Sequence, residues 1–464
     1  MITRFFRLLA PTLLCFASYN LAQSLPAEQT AAIDELTNKV LNDTGVPSAL
    51  VGIVKDGKIV FAKGYGNGRL DPPVAANTQM RYSIGSISKQ FTAAAVLLLQ
   101  EQKKLSLDDP VSKYFPDLTR ASEVTIRQLL SHTSGYQDYY PQDYVPQFMT
   151  RPTTAQHIMD TWAKKPLDFD PGTRWQYSNT NYVIAGAIVE KITGRPLFDL
   201  LTQKIFNPLG MKSVIDTDQN SLGSNDAIGY FRYASGPPHP ETKEAKGWLS
   251  AAGELSMTVE DLLKWDISLM NQSILKPESY KQLETDVQLK DGTGTRYGLG
   301  LSVNFDTHRI LGHGGEVTGF TATSMVLPEE RMAIAVLTNQ MASGASGTIA
   351  RQILSRLFPT STQEDEKATA AARKIFEGLQ KGAIDRSLFT ESANQFFTQA
   401  ALNDYRSSLG PLGSPESFTA GSKSLRGGMV FRSFTVQFRQ RTFTITTFEQ
   451  PDGKLEQYLV VPRG

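Results

Sequence analysis

The 464-residue chain is 40% apolar and 20% charged with a formal net charge of +1, the composition of an ordinary globular protein with room for two or three domains. That balance gives no general electrostatic reason to bind nucleic acid or an anionic membrane, and excludes a charged tail or low-complexity binding segment.

Residues 1–24 read as a secretory signal peptide. Arg4 and Arg7 precede an apolar run from Leu8 to Ala17, and Ala22 and Ser24 flank Gln23 at a small-residue cleavage site. The run is too short for a membrane anchor and is broken by Pro11. Cys15, the only cysteine, lies in this leader, so the mature chain would have no disulfide and no thiol nucleophile. Export without disulfides points to a bacterial periplasm or the surrounding medium.

An amphipathic segment from Ile33 to Leu41 predicts a first helix. In "SALVGIVKDGKIVFAKGYG", Asp56-Gly57 joins two apolar runs and supplies the positive φ angles of a tight hairpin. The stretch "YSIGSISKQFTAAAVLLLQ" then places three serines and a lysine ahead of a helix too apolar for a surface. "LDDPVSKYFPDL" reads as loop, and "VTIRQLLSHTSG" as a short helix stopped by Gly135. Residues 137–270 are mostly helix and loop. Strand signals return at "RYGLGLSVNF", "HRILGHGG", "TGFTATSMVLP" and "MAIAVLTN", so one sheet draws strands from both ends of a domain spanning 27–358, with helices inserted between. A polar linker at 359–366 leads to a C-terminal domain at 367–464. There, two helices (365–381 and 386–409) precede alternating strands, an α+β pattern similar in topology to the NTF2-like fold.

Within the opening stretch, Ser86-Ile87-Ser88-Lys89 forms S-x-x-K. Positions three apart share a helix face, so Ser86 and Lys89 are potential hydrogen-bonding neighbours. A serine hydroxyl becomes a nucleophile when an adjacent base takes its proton, and a lysine in an apolar wall has a lowered pKa suited to that task. Unpaired N–H groups at the helix start suit an oxyanion. Ser273-Ile274-Leu275-Lys276 repeats the spacing, but Pro277 follows and no buried helix does, so Ser273 reads as a surface turn residue. Downstream, Tyr177-Ser178-Asn179 lies on a loop before an apolar helix, whereas Tyr65-Gly66-Asn67 reads as a turn closing the hairpin. His313-Gly314-Gly315 lies on or beside a strand. His132 reads as a structural loop histidine. His157, His239 and His308 have no partners at ligand spacing, so neither a metal nor a cofactor is expected.

The order S-x-x-K, Y-x-N, H-x-G resembles the serine β-lactamase and penicillin-recognising superfamily. The phrases "VTIRQLLSHTSGY", "LDDPVSKYFP" and "YSNTNYVIAGAIVEKITG" are similar to its class C-related branch of β-lactamases, D-Ala-D-Ala carboxypeptidases, D-aminopeptidases and family VIII esterases. The resemblance implies a mixed α/β (α+β) fold, an antiparallel sheet flanked by helices plus a helical subdomain. It implies Ser86 as the acylated residue, Lys89 as its base partner, and Tyr177 as the proton shuttle, with the choice of base between lysine and tyrosine open. Asn179, His313, Gly314 and Gly315 would contact substrate, and the backbone N–H groups of Ser86 and Glu316 would form the oxyanion hole.

The third motif departs from the family's K-T-G or H-T-G. A neutral imidazole anchors a carboxylate less well than an ammonium, and Gly314 offers no hydroxyl. One lost charge-assisted hydrogen bond is about 1.5–3 kcal/mol. An exported serine hydrolase acting on small esters or D-amino-acid amides is therefore expected. D-Ala-D-Ala carboxypeptidase or weak β-lactamase activity is the alternative, and a silent peptidoglycan- or partner-binding protein is the reading from another class. No G-x-S-x-G, G-x-x-x-x-G-K-[ST] or G-x-G-x-x-G occurs, against an α/β-hydrolase or nucleotide chemistry. The loop 137–147 is expected to border the substrate entrance.

Overall fold

In the computed structural model, residues 24–305, 308–358 and 363–463 are described. The signal-peptide reading falls on residues that lie outside these. Two compact units divide between Arg356 and Leu357.

The first unit opens with helix α1 (Ala27–Thr44), then strands β1 (Ser48–Lys55) and β2 (Lys58–Leu70). Asp56 and Gly57 join them with φ of 53° and 72°, the left-handed pair that the right-handed strand twist requires. Tyr65-Gly66-Asn67 is not a turn, as the sequence suggested, but lies inside β2. The Tyr65 hydroxyl donates to Asp34 at 2.7 Å, and a side chain at position 66 would meet the Pro47 carbonyl. After the short β3 (Pro73–Ala75), a 3-10 turn over Gly85–Ile87 leads into α2 (Ser88–Glu101).

Helix α3 (Ile126–Leu130) begins at a Thr125–Gln128 capping box and stops well before Gly135. The chain leaves it through His132, whose φ is 59°. Helix α4 (Asn179–Thr193) packs on α2, and α5 (Val259–Asn271) lies on the sheet. The sheet is completed by β4 (Ser302–Phe305), β5 (Arg309–Val317), β6 (Phe320–Leu327) and β7 (Met332–Thr338), before α6 (Ala345–Leu357). The strand predicted from Arg296 begins only at Ser302. Residues before it loop, with the Gly298 N–H donating to the Leu301 carbonyl at 2.9 Å.

The seven strands run in the order β3-β2-β1-β7-β6-β5-β4, antiparallel throughout. Pairing β1 with β7 joins the two ends of the domain, as the split strand signals required. Helix α2 is buried on nearly every side, including Lys89, Gln90 and Thr92. Two of its polar side chains are paired through the core: Thr92 donates to the Ala251 carbonyl at 2.8 Å and Gln90 Oε1 accepts from the Trp265 indole at 2.7 Å.

The second unit carries α7 (Gln363–Gln380), α8 (Glu391–Phe396) and α9 (Gln399–Leu409), then a meander of β8 (Ser417–Arg426), β9 (Met429–Gln437), β10 (Thr442–Glu449) and β11 (Leu455–Pro462). Helix α7 starts at Gln363, inside the stretch 359–366 read as linker. The single helix predicted over 386–409 is broken in two, because Thr390 and Thr398 each cap a fresh N-terminus. Phe376, Phe434, Val436 and Ile445 centre the core of this α+β domain.

Candidate active site

Ser86 sits on the 3-10 turn rather than on α2 itself, one turn before the buried Lys89. The turn lies against β5 so closely that a Cβ at Gly315 would fall 1.9 Å from the Ile84 carbonyl oxygen, and one at Gly85 2.7 Å from the Glu316 nitrogen. Glycine at both positions thus brings the backbone of Glu316 beside the serine. Of the neighbouring serines, Ser83 pairs with Ser256 at 2.8 Å, and Ser88 accepts from the Leu255 N–H at 3.1 Å. Ser273 is exposed beyond α5.

The Lys89 amine is 3.0 Å from Ser86 Oγ, 2.8 Å from Asn179 Oδ1 and 2.7 Å from the Ala252 carbonyl. The last two are acceptor-only oxygens and engage two N–H bonds. The third direction from nitrogen points at the serine, so a neutral Lys89 directs its lone pair there. Burial lowers the Lys89 pKa from 10.5 to about 7, against the opposing charges of Asp138 and Glu254. Glu254 is itself buried, and its pKa is raised well above the usual value.

The Tyr177 hydroxyl is buried and makes no formed hydrogen bond. Burial raises its pKa, and the nearby Ser86 hydroxyl offsets part of that rise. The Lys89 amine lies 5.0 Å from the Tyr177 ring centre. Against that ring, the His132 imidazole lies tilted with ring centres 4.3 Å apart and accepts from the Ser178 N–H at 3.2 Å. Desolvation holds His132 well below its usual pKa, so it is a neutral neighbour of Tyr177.

Asn179 opens α4 with its amide fully engaged. Its Oδ1 receives Lys89, and its Nδ2 donates to both carboxylate oxygens of Asp138 at 3.2 Å. Asp138 also accepts the Asn179 backbone N–H at 2.9 Å, and burial raises its pKa. Asp138 escaped the sequence reading. Its position on the loop 137–147 was the available signal.

His313 turns toward Tyr297. Its Nδ1–H donates to the Gly314 carbonyl, and its Nε2 accepts from the Tyr297 hydroxyl at 2.8 Å. Desolvation and the Lys89 charge lower its pKa to about 4, so the imidazole is neutral. A cavity of about 340 Å³ opens onto Ser86, Tyr177 and Asn179. Its β5 wall is Glu316 and Val317, not His313, Gly314 or Gly315, and its rim is the loop from Asp138 to Asp143.

A family model described as Beta-lactamase matches residues 31–357, and the chain belongs to that family. It has the β-lactamase/transpeptidase fold followed by a separate C-terminal sheet domain. Protein flp of Staphylococcus aureus (strain NCTC 8325 / PS 47) is 30% identical over 319 residues, 66% of this chain and 62% of its own length. The match thus spans less than two thirds of that relative. D-aminopeptidase of Brucella anthropi is 27% identical over 348 residues, covering 74% of this chain and 65% of that one. The octameric penicillin-binding protein homologue from Pyrococcus abyssi aligns with a TM-score of 0.64 at 24% identity, over 94% of this chain and 96% of that one. Among the described residues, no helix is long and apolar enough to cross a membrane.

Proposed function

We propose that the protein hydrolyses small esters or D-amino-acid amides through an acyl-Ser86 intermediate, with neutral Lys89 as the general base. The observation that carries this reading is the Lys89 amine, buried, 3.0 Å from Ser86 Oγ and with a pKa of about 7. Ser86 Oγ attacks the substrate carbonyl carbon and its proton passes to Lys89 Nζ. The tetrahedral oxyanion lies against the backbone N–H groups of Ser86 and Glu316. Tyr177 remains a neutral phenol, suited to relaying the proton to the departing alkoxide or amine. The leaving group departs with that proton, and water then attacks the acyl-serine by the reverse relay.

Asn179 serves this site mainly by positioning Lys89, since its donors and acceptor are both engaged. Among the described residues, the cavity lining includes Asp138, Asp143 and Glu316 and no lysine or arginine. Together with a neutral His313, that lining disfavours an anionic group, such as the carboxylate of a β-lactam or a D-Ala-D-Ala terminus. It favours neutral or cationic substrates, in keeping with the D-aminopeptidase relative. Turnover of p-nitrophenyl butyrate by the wild type beside Ser86→Ala tests the reading. Turnover lost in the variant supports it, and equal turnover by both proteins sinks it.

A further inference from the structure

Beyond the catalytic cavity, a second cavity of about 190 Å³ is lined by Arg69, Lys243, Glu244 and Thr318 among others. Leu249 and Val317 line both cavities, so the two are neighbours across one shared wall. Tyr140 belongs to the catalytic cavity, and its hydroxyl donates to Glu244 Oε1 at 2.9 Å. That hydrogen bond links a residue lining one space to a residue lining the other.

The polar groups of the second cavity are unequal. Its cationic side chains already have partners: Arg69 donates to the Asp226 and Gly223 carbonyls at 2.7 Å each, and Lys243 to the Thr217 and Asn220 carbonyls. Glu244 is only 4% exposed and Thr318 only 6%. Even so, Glu244 Oε2 is buried without a hydrogen-bond partner, and the Thr318 hydroxyl has only the neighbouring Tyr140 hydroxyl to interact with. A buried carboxylate oxygen left unpaired costs more than an ordinary missing hydrogen bond. What remains open is a carboxylate oxygen and a hydroxyl on the wall of a space far larger than one water, which Glu241, opposite in sign to Arg69 and Lys243, also lines. The complement of such a pair is a compact donor with positive charge.

We propose that this cavity is a subsite for a primary ammonium group, received by Glu244 Oε2 and Thr318 Oγ1, on a substrate whose reacting carbonyl lies at Ser86. The inference rests on the acyl-Ser86 reading for the placement of the carbonyl, but the ammonium site itself does not. It narrows the substrate class to esters or amides that carry a free amine. Acylation of that amine would remove both its charge and two of its donors.

The test is calorimetric titration of n-hexylammonium, with n-hexanol as the uncharged control, into the full chain and its Ser86→Ala, Glu244→Gln and Thr318→Val variants. Glutamine keeps an oxygen for Tyr140 while removing the charge. Saturable binding of the ammonium to wild type and Ser86→Ala is expected, weakened about tenfold or more by Glu244→Gln and less by Thr318→Val. Absence of saturable binding to wild type, or equal affinity for the alcohol, would overturn the proposal. So would undiminished affinity in both subsite variants. Competition by n-hexylammonium against p-nitrophenyl butyrate turnover tests continuity with the catalytic cavity, and binding without competition refutes that continuity. A protein that binds the ammonium but turns over no ester separates failure of the acyl-serine reading from failure of the subsite.

Discussion

Burial moves the Lys89 pKa from 10.5 to about 7. At 1.36 kcal/mol per pH unit, that lowering places on the order of 5 kcal/mol against the charged form. Only the neutral amine accepts the Ser86 proton, so kcat/KM for an uncharged ester should rise about tenfold per pH unit below 7 and level above it. Asp138 opposes the shift, so Asp138→Asn should move the inflection to lower pH. Folding carries the same signature with its own sign. The folded-state pKa lies below the unfolded one, so between pH 7 and 10.5 the unfolded chain binds the extra proton. The lysine's penalty on folding is therefore full below about pH 7 and fades as pH climbs toward 10.5. Wild type should gain stability relative to Lys89→Met across that window. The assay is initial-rate hydrolysis of p-nitrophenyl butyrate from pH 5 to 9, paired with urea melts of both proteins. A rate flat through neutrality would refute the reasoning, as would one still rising about tenfold per pH unit at pH 9.

Three further outcomes follow from the geometry. Tyr177→Phe should lower kcat by about 10²–10⁴ with little change in KM, and wild-type turnover by this variant would remove Tyr177 from proton transfer. Gly315→Ala drives a Cβ to 1.9 Å from the Ile84 carbonyl. It should cost about 1–3 kcal/mol in urea melts and lower turnover as Glu316 moves from Ser86; an unchanged midpoint would deny the close approach. Phe91 is fully buried, with ring centres of Trp265 and Phe206 at 4.5 and 5.5 Å, so Phe91→Ala should destabilise by about 3–5 kcal/mol. A loss below 1 kcal/mol would show that the surroundings collapse into the gap.

The parts legible in the sequence were those written locally. The Asp56-Gly57 turn, the buried run after Lys89 and the three-residue spacing of Ser86 and Lys89 all depend on near neighbours, and all stand in the structure. What escaped depends on long-range pairing. Asp138 gains meaning only when α4 brings Asn179 onto it, and Tyr297 only when its loop meets His313. His132 has the same character. Its residue type said "loop histidine", but its place against Tyr177 comes from packing α3 against α4. Tyr65-Gly66-Asn67 was misread because its spacing and glycine suit a turn, whereas β2 continues through it, pairing with β1 up to Gly66 and with β3 from Asn67. Glu244 gave no local signal at all, since its environment is assembled from segments far apart in the chain.

The most direct test is where a serine-directed acylating or phosphorylating reagent attaches. The full chain would be treated with a fluorophosphonate across pH 6 to 9, digested, and mapped by mass spectrometry. The account predicts one adduct, on the peptide containing Ser86, forming faster as pH rises through 7 and absent from Ser86→Ala. An adduct on Ser83, Ser88 or any other serine, or none at all, would contradict it.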